Sequence, residues 1–207
     1  MRPPDVTMTR RLLAVAIVVV AAAGASVAPR TLAAPVVIEG LSFDDCLQLG
    51  DSTLVLNGVG LRAVAWLKGY AAGMYLTQRA ATPAAALAAP GPKRIRMRML
   101  LDVDSAEFAK AVDKGFRRNT PEAEQARIAD RARQFDAAIR AIGPVRRGDV
   151  IDLDYLPGRG TALLLNGKPR GPVLPGEDFY GAVMRIFLGE RPVDAELKAG
   201  LLGRPPR

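Results

Sequence analysis

Apolar and polar positions recur in two rhythms along this chain, and the change from one to the other sets its elements. "KRIRMRMLLDV", Lys93 to Val103, puts Ile95, Met97, Met99 and Leu101 on one face and Arg94, Arg96 and Arg98 on the other. Strict alternation of this kind predicts a half-buried strand, with an exposed arginine face whose charges block edge pairing. Strands are also expected at "VVIEG" near Val36, at "STLVLNG" from Ser52, and as one long run from Leu61 to Leu76. "DVIDLDYL", the turn "PGRG" and "TALLLNGK", with a second turn at Asn166-Gly167, read as hairpins. Helical spacing takes over elsewhere. "DSAEFAKAVDKGF" opens on Asp104 as N-cap, with Glu107 three residues on. "TPEAEQARIADRARQFDAAIRAIG" has Thr120 as N-cap, Pro121 at the first helical position and Gly143 as its stop. Ile128, Ala132, Phe135, Ala138, Ile139 and Ile142 form its buried stripe. "EDFYGAVMRIFLG" and "PVDAELKAGLLG" are two further amphipathic helices, and "AATPAAALAAPGP" is either a short helix or a surface connection. The sum is α+β: one antiparallel sheet with helices layered on it.

The first residues change the picture of where this domain works. Arg10 and Arg11 precede the 17-residue apolar run Leu12 to Ala28, which gives way to small residues and prolines. That pattern predicts a secretory signal peptide over residues 1–33, cut after Ala33, and a single domain over 34–207 that is periplasmic or secreted. The run sits at the short end of the roughly 17–25 residues a spanning helix needs, so an uncleaved anchor is the alternative. Cleavage would leave no stable membrane span. Of the formal charge of +8, the leader supplies enough that the mature part carries about +5, a weak pull on nucleic acid, and no nucleic-acid partner is expected.

Two scarcities exclude whole classes of chemistry. The chain has no histidine, which removes Ser-His-Asp and Cys-His catalysis, His-ligated haem and nearly every zinc site. Its one cysteine, Cys46, excludes an internal disulfide and reads as an inert thiol. Asp149, Asp152 and Asp154 lack the spacing of a calcium loop and read as solvated carboxylates. No metal and no cofactor are expected.

What remains is "VLNGVGLRAVAWLKGYAAGMYL", Val55 to Leu76. Read as a strand, its odd positions from Leu61 to Tyr75 form a small face suited to a closely packed helix. Arg62, Trp66 and Tyr70 share the opposite face, among aliphatic neighbours. Arg62 is then either a surface arginine whose stem covers apolar area or a carboxylate anchor at the mouth of an apolar pocket, with Tyr70 as a second donor. On a flat strand eight residues at about 3.3 Å each would hold the two roughly 26 Å apart, so the second reading requires the chain to bend between them.

"LNGVGLRAVAWLKGYAAGMYL", followed by "GDVIDLDYLPGRGTALLLNGK" and "FLGERPVDAELKAGLLG", resembles the chalcone isomerase-like family in its bacterial exported branch. The resemblance implies an open-faced β-sandwich of the chalcone isomerase type, a large antiparallel sheet covered by a layer of helices with a ligand cleft between them. The family includes isomerases that close a flavanone ring and relatives that bind fatty acids. Arg62 matches the arginine common to both, and Tyr70 falls where the fatty-acid binders carry tyrosine. The isomerase tyrosine and asparagine fall at Phe108 and Gly115, neither of which has a side-chain donor. The resemblance therefore implies a non-catalytic binder of a small amphipathic carboxylate such as a fatty acid. An isomerase or intramolecular lyase with another substrate, and a structural partner in a cell-envelope complex, are the alternatives.

Overall fold

Period-two alternation builds strands throughout the computed structural model, which describes residues 34–64 and 67–204. The expected leader and its cut after Ala33 lie outside the described residues. In chain order the strands are β1 Val36–Ile38, β2 Leu41–Phe43, β3 Cys46–Leu49, β4 Ser52–Val64, β5 Leu67–Leu76, β6 Lys93–Met99, β7 Val150–Leu156, β8 Gly160–Leu165 and β9 Lys168–Leu174. The helices are α1 Pro83–Ala88, α2 Ser105–Asn119, α3 Glu122–Ala141, α4 Glu177–Leu188 and α5 Ala195–Leu201. Strands β3 to β9 form one sheet in simple sequence order, every neighbour antiparallel, and β1–β2 form a separate hairpin. The α+β expectation of a large antiparallel sheet with a helical layer holds.

Local chemistry explains the boundaries. Asp104 caps α2, its carboxylate accepting from the Ala106 N–H at 2.7 Å. Thr120, expected to cap α3, instead closes α2 with its own N–H on the Phe116 carbonyl, and Pro121 occupies the α3 cap position. The alanine-rich stretch is a short helix, α1, capped by Thr82. Asn166 and Gly167 both take positive φ, 51° and 75°, as a tight hairpin between β8 and β9 requires.

The largest departure concerns Leu61 to Leu76, which is not one strand. The chain reverses after Val64 and returns from Leu67, pairing Val64 with Leu67 and Arg62 with Tyr70. The faces differ too. Ala71 and Tyr75 lie in a smaller core with Phe43 of β2, Leu54 and Leu56, on the side away from the main helical layer. Tyr70, Ala72, Met74 and Leu76 face the helices and join the main core, with Ile95, Met97, Phe116 and most of α4. Where a helix does press closely on β4, the glycines are Gly58 and Gly60: a Cβ at Gly60 would lie 2.5 Å from the Leu197 carbonyl oxygen of α5. Asn57, the extra residue of a bulge in β4, fastens that contact. Its amide donates to the Ala80 and Leu201 carbonyls at 3.0 and 2.7 Å.

The arginine face of β6 is not a solvated one. Arg94 stands opposite Asp154 and Arg96 opposite Asp152 across the β6–β7 pair. Asp152 and Asp154 are 2% and 3% exposed, so the solvated-carboxylate expectation fails as well. Each arginine grips its partner through two hydrogen bonds, at 2.6 and 2.5 Å for Arg94 and at 2.8 and 2.9 Å for Arg96. Arg98, the third, donates to the Ser42 carbonyl of β2.

Candidate functional site

The β4–β5 hairpin removes the distance that separates Arg62 from Tyr70 on a flat strand. Paired residues across an antiparallel ladder stand about 5 Å apart on one face. A one-residue bulge at Gly69 lies next to this pair, since Arg62 pairs with Tyr70 but Ala63 already pairs with Lys68. The guanidinium carbon of Arg62 is 6.0 Å from the centre of the Tyr70 ring. Both predicted site residues are therefore brought together. Trp66, expected on the same face, lies outside the described residues. Lys68 turns to Glu39, which it meets at 2.8 Å.

Arg62 and Tyr70 line a cavity of about 300 Å³ between the sheet and helices α2 and α4. Met99 of β6, Phe108 and Val112 of α2, and Ile186 and Phe187 of α4 make its apolar wall. Tyr70 is buried, and that burial drives its phenol far above the ordinary range; the Arg62 charge opposes the rise and Asp194 adds to it. The phenol is thus a neutral hydrogen-bond donor at any physiological pH. The Arg62 guanidinium makes no ion pair or hydrogen bond among the described residues. Asp194, the nearby carboxylate, is engaged elsewhere: it caps α5 through the Leu197 N–H at 2.9 Å and takes the Ala63 N–H at 3.4 Å. Glu107 at the cavity rim pairs with Lys110 at 2.7 Å.

Positions 108 and 115 carry no donor, and the packing shows what fills them. Phe108 contributes ring surface to the cavity wall. Gly115 lets α2 and α4 approach, because a Cβ there would meet Ile186 at 2.6 Å. An asparagine at this position would need the helices to part. The cavity thus offers a ligand one cation, one neutral phenol and apolar surface, with the Glu107 carboxylate at its rim held by Lys110. That set can orient an anion and desolvate a chain, and it lacks a second pair of donors for a developing phenolate.

A larger groove of about 740 Å³ lies between α2 and α3, floored by Phe116 and Ile128. Its cations are all answered by neighbouring acids: Lys110 by Glu107, Arg117 by Asp113, Arg133 by Asp130 and Arg140 by Asp136. It holds no free charge to fix a ligand, and so ranks behind the smaller cavity as a site. Among the described residues no group of acidic or cysteine side chains could hold a metal ion, and no helix is long and apolar enough to cross a membrane. The α4 wall and Asp194 escaped the sequence reading, because an amphipathic pattern says that a helix packs on a sheet but not what it packs against.

An antiparallel sheet roofed by helices, with a small, mostly apolar cavity lined by arginine and tyrosine, defines an α+β protein with a cavity between sheet and helices. More particularly, the chain belongs to the chalcone isomerase-like family, whose sequence profile matches residues 35–203. Among solved structures, a fatty-acid binding protein of Arabidopsis thaliana shares the fold with a TM-score of 0.62. It is 19% identical over 81% of this chain and 95% of that one. No curated protein sequence matches the chain at a significant level.

Proposed function

We propose that the protein binds a small amphipathic carboxylate, a fatty acid of medium length, without transforming it. The observation that carries this reading is the Arg62 guanidinium, without an ion pair among the described residues, beside the neutral Tyr70 phenol in a mostly apolar cavity. The fatty-acid binding activity named for the plant structure of the same fold supports it. At the roughly 30 Å³ that a water-sized group takes in a liquid, 300 Å³ holds on the order of ten carbons. Burying about ten methylenes at about 0.8 kcal/mol each gives roughly 8 kcal/mol, against association costs of about 4–15 kcal/mol. Chain burial alone is marginal, so the head-group contact decides the affinity. Titration with saturated fatty acids is expected to peak near ten carbons, and native mass spectrometry of the purified protein to reveal a co-purified lipid. Absence of binding at every chain length would overturn the proposal.

An isomerase reading keeps one supporting observation, since Arg62 can by itself stabilise an oxyanion. With Phe108 and Gly115 in place of donors, no chalcone cyclisation above the spontaneous rate is expected. Stereoselective flavanone formation that disappears in Arg62→Ala would reverse this. The open cavity weighs against a purely structural envelope role, for which a filled sheet–helix interface would be expected.

Export completes the proposal. The basic start and short alanine-rich run support a cleaved leader over residues 1–33, a domain over 34–207 and a periplasmic or secreted location. N-terminal sequencing of protein from fractionated cells is expected to begin at or near Ala34, and an intact Met1 on membrane-bound protein would refute it.

A further inference from the structure

A second and smaller cleft of about 170 Å³ shares Arg62, Ala111 and Val193 with the apolar cavity. Arg62, Lys114, Arg118 and Arg191 line it with Ala111, Gly115 and other small or apolar groups, and no acidic residue does. None of the four cations makes an ion pair among the described residues. Elsewhere on α2 and α3, Lys110, Arg117, Arg133 and Arg140 are each matched with an acid three or four residues away.

Solvated surface charge accounts poorly for the cluster. Arg118 sits in the last turn of α2, where the helix dipole favours a cation. Lys114 is one turn earlier, and a like charge at this i,i+4 spacing costs a few tenths of a kcal/mol. Arg191 comes from the separate segment between α4 and α5, and Arg62 from the sheet. Three elements therefore converge cations on one concave spot without neutralising them. Such a spot attracts an anion of more than one charge. At about 30 Å³ per water-sized group it has room for roughly five or six atoms, the size of a phosphate.

Resting on the reading that the apolar cavity takes an acyl chain, we infer that the preferred ligand is a single-chain phosphomonoester, its chain beside Tyr70 and its phosphate in the cleft between Arg62, Lys114, Arg118 and Arg191. Arg62 lines both spaces and would hold the junction of head and chain. A carboxylate reaches only Arg62 and Tyr70, whereas a phosphate presents three oxygens and up to two charges to four cations.

The test is isothermal titration of the full chain, as the cell processes it, with decanoate, decyl phosphate and inorganic phosphate at pH 8, below micelle-forming concentrations. Decyl phosphate is expected to bind at least tenfold more tightly than decanoate. That ratio should shrink below pH 6, where the phosphate carries one charge. It should fall to about one in the Lys114→Gln/Arg118→Gln/Arg191→Gln variant, whose substituted side chains are exposed and do not hold the core. Equal affinities in the unsubstituted protein would overturn the inference and leave the carboxylate reading standing. Inorganic phosphate binding as tightly as decyl phosphate would mark a site for free phosphate and also overturn it. Binding of neither decyl ligand would remove both readings.

Discussion

Replacing Arg62 by methionine is expected to weaken fatty-acid binding on the order of a hundredfold while leaving the ligand-free fold intact. Methionine keeps much of the arginine stem, so the cavity wall beside Tyr70 stays covered. What disappears is one charge-assisted contact in a partly desolvated site, for which losses of about 2–5 kcal/mol are typical. The fold should not suffer, because among the described residues Arg62 has no carboxylate partner to orphan. Tyr70→Phe should cost less, since a neutral hydrogen bond is worth about 0.5–1.5 kcal/mol net. The raised phenol pKa adds a second expectation: Tyr70 stays protonated, so it contributes no change in affinity between pH 6 and 9. Fatty-acid titrations and thermal melts of the three proteins check all of this. An unchanged affinity in Arg62→Met would make the arginine a surface residue, and a collapse in melting temperature would mean that its acceptor is internal.

The fold class is readable from the chain, and Arg62 and Tyr70 stand out in it as candidates, but their meeting is not. Arg62 stands out as a cation in an apolar run, and Tyr70 as a phenol at matching parity. The reversal between them carries no glycine, proline or asparagine, since Ala65 and Trp66 separate the paired Val64 and Leu67. A pattern without turn residues reads as continuous strand, which is why the run from Leu61 to Leu76 looks unbroken. Bulges at Asn57 and Gly69 then shift the period-two parity, so a face counted from one end does not persist to the other. The cavity is harder still. Its walls depend on how α2 seats against α4, where Gly115 meets Ile186, a contact between positions 71 residues apart with no mark in either segment alone. The same limit hid the pairing of Arg94 with Asp154, which alternation alone assigns to solvent.

That buried pairing is where a single substitution should damage the fold most. Arg94→Met is expected to cost about 3–5 kcal/mol at neutral pH, because it leaves Asp154 buried without its guanidinium. Asp154→Leu should cost a similar amount by orphaning Arg94. The double variant Arg94→Met/Asp154→Leu should recover most of the loss, as apolar replacements of buried pairs commonly do. The pH dependence separates this from a simple packing defect. Burial pushes the Asp154 carboxyl above its ordinary range, and the Arg94 hydrogen bonds and charge pull against that rise. With Arg94 gone the carboxyl should rise further above the roughly 3.9 of an unfolded chain. A group whose folded pKa is raised is least harmful below its unfolded value and loses stability as the pH climbs through the folded one. The deficit of Arg94→Met should therefore be smallest near pH 4 and grow toward pH 8, whereas a cavity left by a shortened side chain would cost the same at both. Arg96 and Asp152 form the neighbouring rung, with Arg94 Nη1 also 3.8 Å from Asp152, so part of the charge can be shared and the lower end of the range applies if it is. Urea denaturation of the three variants at pH 4 and pH 8 reads each of these differences. A pH-independent loss, or a double variant no more stable than either single one, would mean that the ladder holds β6 to β7 by packing rather than by matched charge.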